Sequence, residues 1–162
     1  MADGDKYLAR DDKTMTSAGR YVVNVEAAIY RDGEYLLAER AVEEDHAAGT
    51  LALVGGKVER TDHDTSALES TVHREVREEV GLAVTDLRYV QSNAFVTDGG
   101  DPCLNVVFLA RHEDGEAHVA APDEVADLHW LTPTAVEGHP DVPEWTAAFV
   151  ALSDERRRTL GW

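Results

Sequence analysis

The sequence predicts an α+β domain in which a mixed β-sheet is flanked by helices. Three observations lead there. Two runs rich in β-branched and aromatic residues, Tyr21 to Tyr30 and Tyr35 to Ala38, flank Asp32-Gly33, the pattern of a β-hairpin. Leu68, Val72, Val76 and Val80 recur every four residues, which places an apolar stripe on one helix. Further strand-like runs and a second helical segment follow in irregular order without internal repeats, which suits helices layered on a sheet. The 162 residues suffice for one domain with a sizeable core.

Taken in order, residues 1–19 are polar and aperiodic and are expected to form a loose arm, with a single domain over residues 20–162. The hairpin comes next, then a charged or small stretch at 41–50 that reads as a loop. Leu51 to Val54 is expected to be one short strand ended by Gly55-Gly56, a pair that lets the backbone turn tightly and approach a ligand. Ser66-Ala67-Leu68-Glu69 matches a capping box, and Gly81 stands where a left-handed C-terminal cap belongs, so the helix should run from about Ala67 to Val80. Leu87 to Val96 and Leu104 to Ala110 are expected strands joined by Asp98-Gly99-Gly100-Asp101-Pro102. Gly115 marks a turn, Leu128 to Leu131 a short strand, and Thr132-Pro133 the start of a helical turn. Glu144 to Leu160 carries Trp145, Ala148, Phe149 and Leu152 at helical spacing. It closes in Arg156-Arg157-Arg158, cations that complement a helix dipole and are read as structural.

Composition removes several classes of function. With 32 acidic against 15 basic residues the net charge is −17, so the basic footprint of a nucleic-acid binder is missing. No run of eighteen apolar residues is present, and the first residues lack an apolar signal core; neither a membrane span nor a secretory leader is expected. Cys103 is the single cysteine, which suits a reducing cytoplasm. It should be buried and inert, with no nearby cation to favour its thiolate. The seven histidines form no His-Glu-x-x-His pattern, so a zinc site is not expected.

The chemistry concentrates in Arg74-Glu75-Val76-Arg77-Glu78-Glu79-Val80-Gly81-Leu82. On a helix Glu75, Glu78 and Glu79 share a face, and like charges at that spacing oppose each other by roughly 0.2–0.5 kcal/mol per pair. A hard cation such as Mg²⁺ or Mn²⁺, which prefers carboxylate oxygens and often also holds phosphates, would offset that repulsion. The acidic face adjoins the apolar stripe, so the carboxylates should border the core.

This run resembles the second half of the Nudix box, Arg-Glu-U-x-Glu-Glu-x-Gly-U with U apolar, at every fixed position, and Gly55-Gly56-Lys57-Val58-Glu59 resembles its opening. The order of elements over roughly residues 20–160 is similar to the Nudix α/β/α sandwich. The resemblance implies hydrolysis of a nucleoside diphosphate linked to another group, a small-molecule substrate, with Mg²⁺ or Mn²⁺ as cofactor. It implies Glu75, Glu78, Glu79 and the Gly55 carbonyl as metal ligands, with Arg74 in the catalytic group as the partner of a first box glutamate that helps orient Glu75. Glu124, six residues before Trp130, resembles a loop glutamate that supplies a ligand or general base; the alternative is one acid among Asp123, Glu124 and Asp127. Arg40 resembles a substrate-contacting arginine and Lys57 would touch phosphate, the alternative for each being an ordinary surface cation.

Two departures stand out. Gly56 lies eighteen residues before Arg74, four more than the family spacing, and the first box glutamate is replaced by Ser66. Asp62, Asp64 or Glu59 would then have to take over its contact with Arg74. Val54 also stands where proline is common. No subclass marker follows the box. The short chain and Arg40 favour a nucleoside triphosphate, with ADP-ribose or a nucleotide sugar, or a nucleotide-binding module without turnover, as alternatives. A homodimer is compatible with this reading.

Overall fold

The computed structural model describes residues 19–42, 47–60 and 65–162. Strand β1 (Val22–Arg31) turns at Asp32-Gly33 into β2 (Glu34–Arg40). Both turn residues have positive φ, 49° and 89°, the conformation a two-residue hairpin requires and Asp-Gly tolerates. After β3 (Leu51–Ala52) and β4 (Val54–Lys57) comes α1 (Ala67–Val80), then β5 (Ala83–Val96), β6 (Pro102–Asp114) and β7 (Val125–Leu131). Helices α2 (Pro133–Glu137) and α3 (Glu144–Leu160) complete the order. The strands form one mixed sheet in the order β3-β2-β1-β6-β5; β4 also pairs with β1, and β7 with β2. The β1–β6 pair is parallel and the others are antiparallel.

Strand alternation sends side chains to two cores. Val25, Ala27 and Ile29 of β1 join Val72, Val76 and Val80 of α1 on one face. Ala28, with Leu37 and Leu109, meets Val136 of α2 and Phe149 and Val150 of α3 on the other. This is the predicted α/β/α layering. No helix among the described residues is long and apolar enough to cross a membrane.

The structure corrects several expectations. Strands β5, β6 and β7 are longer than the apolar runs suggested, because paired polar residues extend the ladders. Leu51 to Val54 is two strands, and Gly55-Gly56 lies inside β4, paired with Glu26 and Val25, instead of ending a strand. Ser66 occupies the N-cap position, but at φ 63° and ψ 41° it is left-handed and makes no side-chain cap bond. A capping serine needs extended backbone angles to reach the following N–H groups, so the capping box does not form. In α3, Trp145, Ala148 and Leu152 face solvent, and Thr146, Phe149, Val150, Ser153 and Asp154 are buried. The cause is a polar anchor. Asp154 accepts hydrogen bonds from Tyr35 Oη (3.0 Å), Arg157 Nε (2.8 Å) and Arg158 Nε (2.9 Å). Arg157 and Arg158 of the arginine run are structural through these bonds, more than through the helix dipole, and Arg157 Nη1 also donates to the Trp162 carbonyl. Residues 1–18, Asp62, Asp64, His46 and His63 lie outside the described residues, so the N-terminal arm and two candidate partners of Arg74 do too.

Candidate active site

Helix α1 sets the site because its stripe must face the sheet. With Val72, Val76 and Val80 buried, Glu75 and Glu79 fall beside them at 8% and 7% exposure. The left-handed Gly81 (φ 70°) ends the helix just after, its N–H donating to the Arg77 carbonyl. The carboxylate of Glu75 then needs room against β4, which Gly56 provides: a Cβ there would overlap the Glu75 carboxyl group. A Cβ on Gly55 would enter the Val25 carbonyl oxygen. Both glycines are therefore required by close approach, inside a strand.

The third carboxylate comes from elsewhere in the chain. Glu124 sits on a turn whose Glu124 and Val125 N–H groups both donate to the Ala121 carbonyl, and its own carbonyl accepts from Ala41 N. One oxygen each of Glu75, Glu79 and Glu124 lie within 4.8 Å of one another. Burial pushes the Glu79 carboxyl up to about 9, with the charges of Glu75 and Glu124 adding to the effect. Burial also raises Glu75, against the opposing pull of Arg74, with Glu78 and Glu124 on the same side as burial. Two buried carboxylates held against their charge, Glu75 and Glu79, with the exposed carboxylate of Glu124 closing the group, are a donor set that a divalent cation stabilises. The residues present fit Mg²⁺ or Mn²⁺.

Glu78 departs from the expected shared face. Its side chain is 57% exposed and lies outside the tight group, accepting from Arg74 Nη1 at 3.2 Å. The same nitrogen donates to Glu75 Oε1 at 2.7 Å, and Arg74 Nη2 donates to the Lys57 carbonyl at 3.0 Å. Arg74 thus bridges α1 to β4 through its own helix neighbours and a backbone oxygen. Among the substitutes considered for the missing glutamate, Glu59 lies 3.8 Å from Arg74, an ion-pair distance and not a hydrogen bond.

A cavity of about 340 Å³ brings the predicted residues together: Gly55, Lys57, Arg74, Glu75, Glu78, Glu79, Glu124 and Arg40 all line it. Its wall also contains Asn24, which the sequence reading passed over. The signal was there: Asn24 and Glu26 interrupt an apolar strand at alternate positions, and Asn105 does so in β6. Asn24 Nδ2 donates to Asn105 Oδ1 (2.8 Å), and Asn105 Nδ2 donates to Glu26 Oε2 (2.6 Å). Cys103 is buried and burial raises its thiol, but a cation is near after all. Lys57 pulls the other way and loses to desolvation. A second group of possible ligands, Glu39, Asp127 and His129, lies on β2 and β7, with His129 Nε2 3.7 Å from each acid.

A family model described as the NUDIX domain matches residues 20–152. The CTP pyrophosphohydrolase of Escherichia coli (strain K12) is 44% identical over 137 residues, covering 82% of this chain and 93% of the relative. The NAD-capped RNA hydrolase NudC of Escherichia coli O1:K1 / APEC is 36% identical over 103 residues, 64% of this chain; that match takes in only 36% of the relative's length. The crystal structure of a MutT NUDIX hydrolase from Burkholderia pseudomallei is similar with a TM-score of 0.69 and 29% identity. That match covers 82% of this chain and 98% of the other.

Proposed function

The chain belongs to the Nudix hydrolase family, and on that premise we propose that it is a Mg²⁺-dependent nucleoside triphosphate pyrophosphohydrolase with CTP as its leading substrate. The observation that carries this reading is the convergence of buried Glu75 and Glu79 with Glu124 in one cavity with Arg40 and Lys57. The 44% identity to a CTP pyrophosphohydrolase over nearly its whole length supports the choice of substrate.

In the reaction a water oxygen bonds to phosphorus as one bridging P–O bond breaks, giving nucleoside monophosphate and pyrophosphate. Glu75, Glu78, Glu79, Glu124 and the Gly55 carbonyl would hold the cation, which supplies positive charge for the phosphates and makes a nearby water more acidic. The chain's own groups do the remaining work. Arg74 fixes the carboxylates of Glu75 and Glu78 in place. Arg40 and Lys57 bring two cations to a site that would otherwise repel a polyphosphate. Glu124, on its loop, is the group available to take the water's proton, its geometry set by the turn at Ala121.

The test is pyrophosphate release from a panel of nucleoside triphosphates, and nucleoside monophosphate release from ADP-ribose and a nucleotide sugar, in Mg²⁺, with Glu78→Gln alongside. Release from CTP, and its loss by about a hundredfold or more in the variant, is expected. Binding without turnover, or wild-type turnover by Glu78→Gln, overturns the reading.

A further inference from the structure

The face of the sheet turned away from α1 carries a row of amides that catalysis at phosphorus does not use, and its Asn24 end opens into the cavity that the carboxylates line. Lys57 on β4 pairs in register with Asn24 on β1, Asn24 with Asn105 on β6, and Asn105 with Asn93 on β5. Residues directly opposite one another across strands point to the same face, so these four side chains form one polar line. Asn105 is 3% exposed. A buried amide next to Leu104, Val106, Val107 and Phe108 costs stability unless its groups are satisfied. The line is anchored at Glu26: Asn105 Nδ2 donates to the Glu26 carboxyl, and Asn24 Nδ2 donates to Asn105 Oδ1.

That anchor gives the line a direction. A carboxyl group has an oxygen able to accept from Asn105 whether or not its other oxygen carries a proton. Turning the Asn105 amide over would set its oxygen against Glu26, and turning Asn24 over would set two amide oxygens face to face. Asn24 therefore keeps Nδ2 toward Asn105 and has Oδ1 left over. No hydrogen bond to Asn24 Oδ1 forms among the described residues, and Asn24 lines the cavity that holds the carboxylates. Farther along the line, Asn93 Oδ1 is buried and has no hydrogen-bond partner. Two carbonyl-type acceptors thus stand uncommitted on one polar line, and what satisfies them must be a donor.

We propose that Asn24, aligned by Asn105 and Glu26, reads the nucleobase and selects a base bearing an exocyclic amino group over its keto counterpart. This rests on the reading of the protein as a nucleoside triphosphate hydrolase. Asn24 is one strand from Lys57, whose carbonyl takes Arg74, so base and polyphosphate would occupy neighbouring parts of one cavity. An amino group offers N–H donors to Oδ1. A keto oxygen at the same ring position meets it acceptor to acceptor, and Oδ1 is left without a partner once the base covers it.

The decisive comparison is CTP against UTP, which share ring size and differ in amino against keto at one carbon and in the proton that uracil carries on the adjacent ring nitrogen. The wild-type protein should favour CTP in kcat/KM by about ten- to a hundredfold, the penalty range for a site left with an unmatched acceptor. CTP dimethylated on its exocyclic nitrogen has no N–H there and should fall to the level of UTP, with no change to the protein. Asn24→Leu should bring the CTP:UTP ratio near one, and Asn105→Leu, which frees the Asn24 amide to turn, should lower it as well; circular dichroism checks that both fold. Equal use of CTP and UTP by the wild type, or full activity on dimethylated CTP, overturns the base-reading line while leaving the hydrolase reading intact. An Asn24→Leu variant that keeps the wild-type ratio does the same. Cleavage of ADP-ribose with neither nucleotide touched overturns instead the reading on which it rests.

Discussion

Glu79→Gln should stabilise the metal-free protein while removing its response to metal. The Glu79 carboxyl is pushed from an ordinary value of 4.5 to about 9, by burial first and then by Glu75 and Glu124. Between those two values the folded chain holds a proton that the unfolded chain has released. Folding stability therefore falls as pH rises through that window and levels off above about 9. At pH 7.5 the unfolded carboxyl has lost three pH units' worth of proton affinity that the folded one has not, and at 1.36 kcal/mol each the cost is about 4 kcal/mol. Gln keeps the shape of the protonated acid and has no proton to lose. In EDTA at pH 7.5 the variant should melt on the order of 10 °C above the wild type, by the conversion of about 2–4 °C per kcal/mol for a domain of this size. At pH 5 the gap should shrink to a degree or two, since about half a pH unit remains. Added Mg²⁺ or Mn²⁺ should raise the wild-type melting temperature at pH 7.5 and raise the variant's far less, because binding to the native state is what shifts it. A differential scanning fluorimetry series over pH, with and without metal, reads all of this. A variant that melts no higher than wild type at pH 7.5 in EDTA, or a gap equal at both pH values, would refute the account of Glu79 as a carboxyl held against its charge.

Gly56→Ala should cost about a hundredfold in turnover, because its Cβ would displace the Glu75 carboxyl group and an ångström of misplacement has that effect; steady-state kinetics in Mg²⁺ that show less than a tenfold loss would mean Glu75 has room to give. Asp154→Asn should lower stability by about 3 kcal/mol in urea unfolding at neutral pH, since it removes the buried charge that three donors share and leaves the part-buried Arg157 without its counter-ion. Burial alone would raise Asp154, but bonds from Arg157, Arg158 and Tyr35 hold it below the usual carboxylate range. Its contribution is thus present above its ordinary pKa and lost as pH falls through the lowered one, so wild type and variant should converge in strong acid.

Local patterns in the sequence were enough for whatever depends on neighbours along the chain. The four-residue recurrence from Leu68 and the glycine at 81 delimit α1 because helix geometry and a left-handed cap are local properties, and Asp32-Gly33 specifies its hairpin for the same reason. Glu75, Glu78 and Glu79 were recognisable because one helix carries them all. Tertiary structure decided whatever depends on who arrives from a distance. Gly55 and Gly56 looked like a strand end, and became strand interior only because β1 and the Glu75 carboxylate lie against them. The trio took in Glu124 and left Glu78 in solvent because burial depends on how deeply α1 settles on the sheet, which no helical wheel contains. The buried face of α3 turned toward Asp154 because Tyr35, 119 residues earlier, supplies its partner. The amide line exists only once β1, β6 and β5 are in register. Separation in the chain hid each of these, since a hydrogen bond or a desolvated charge acts over a few ångströms whatever the number of residues between.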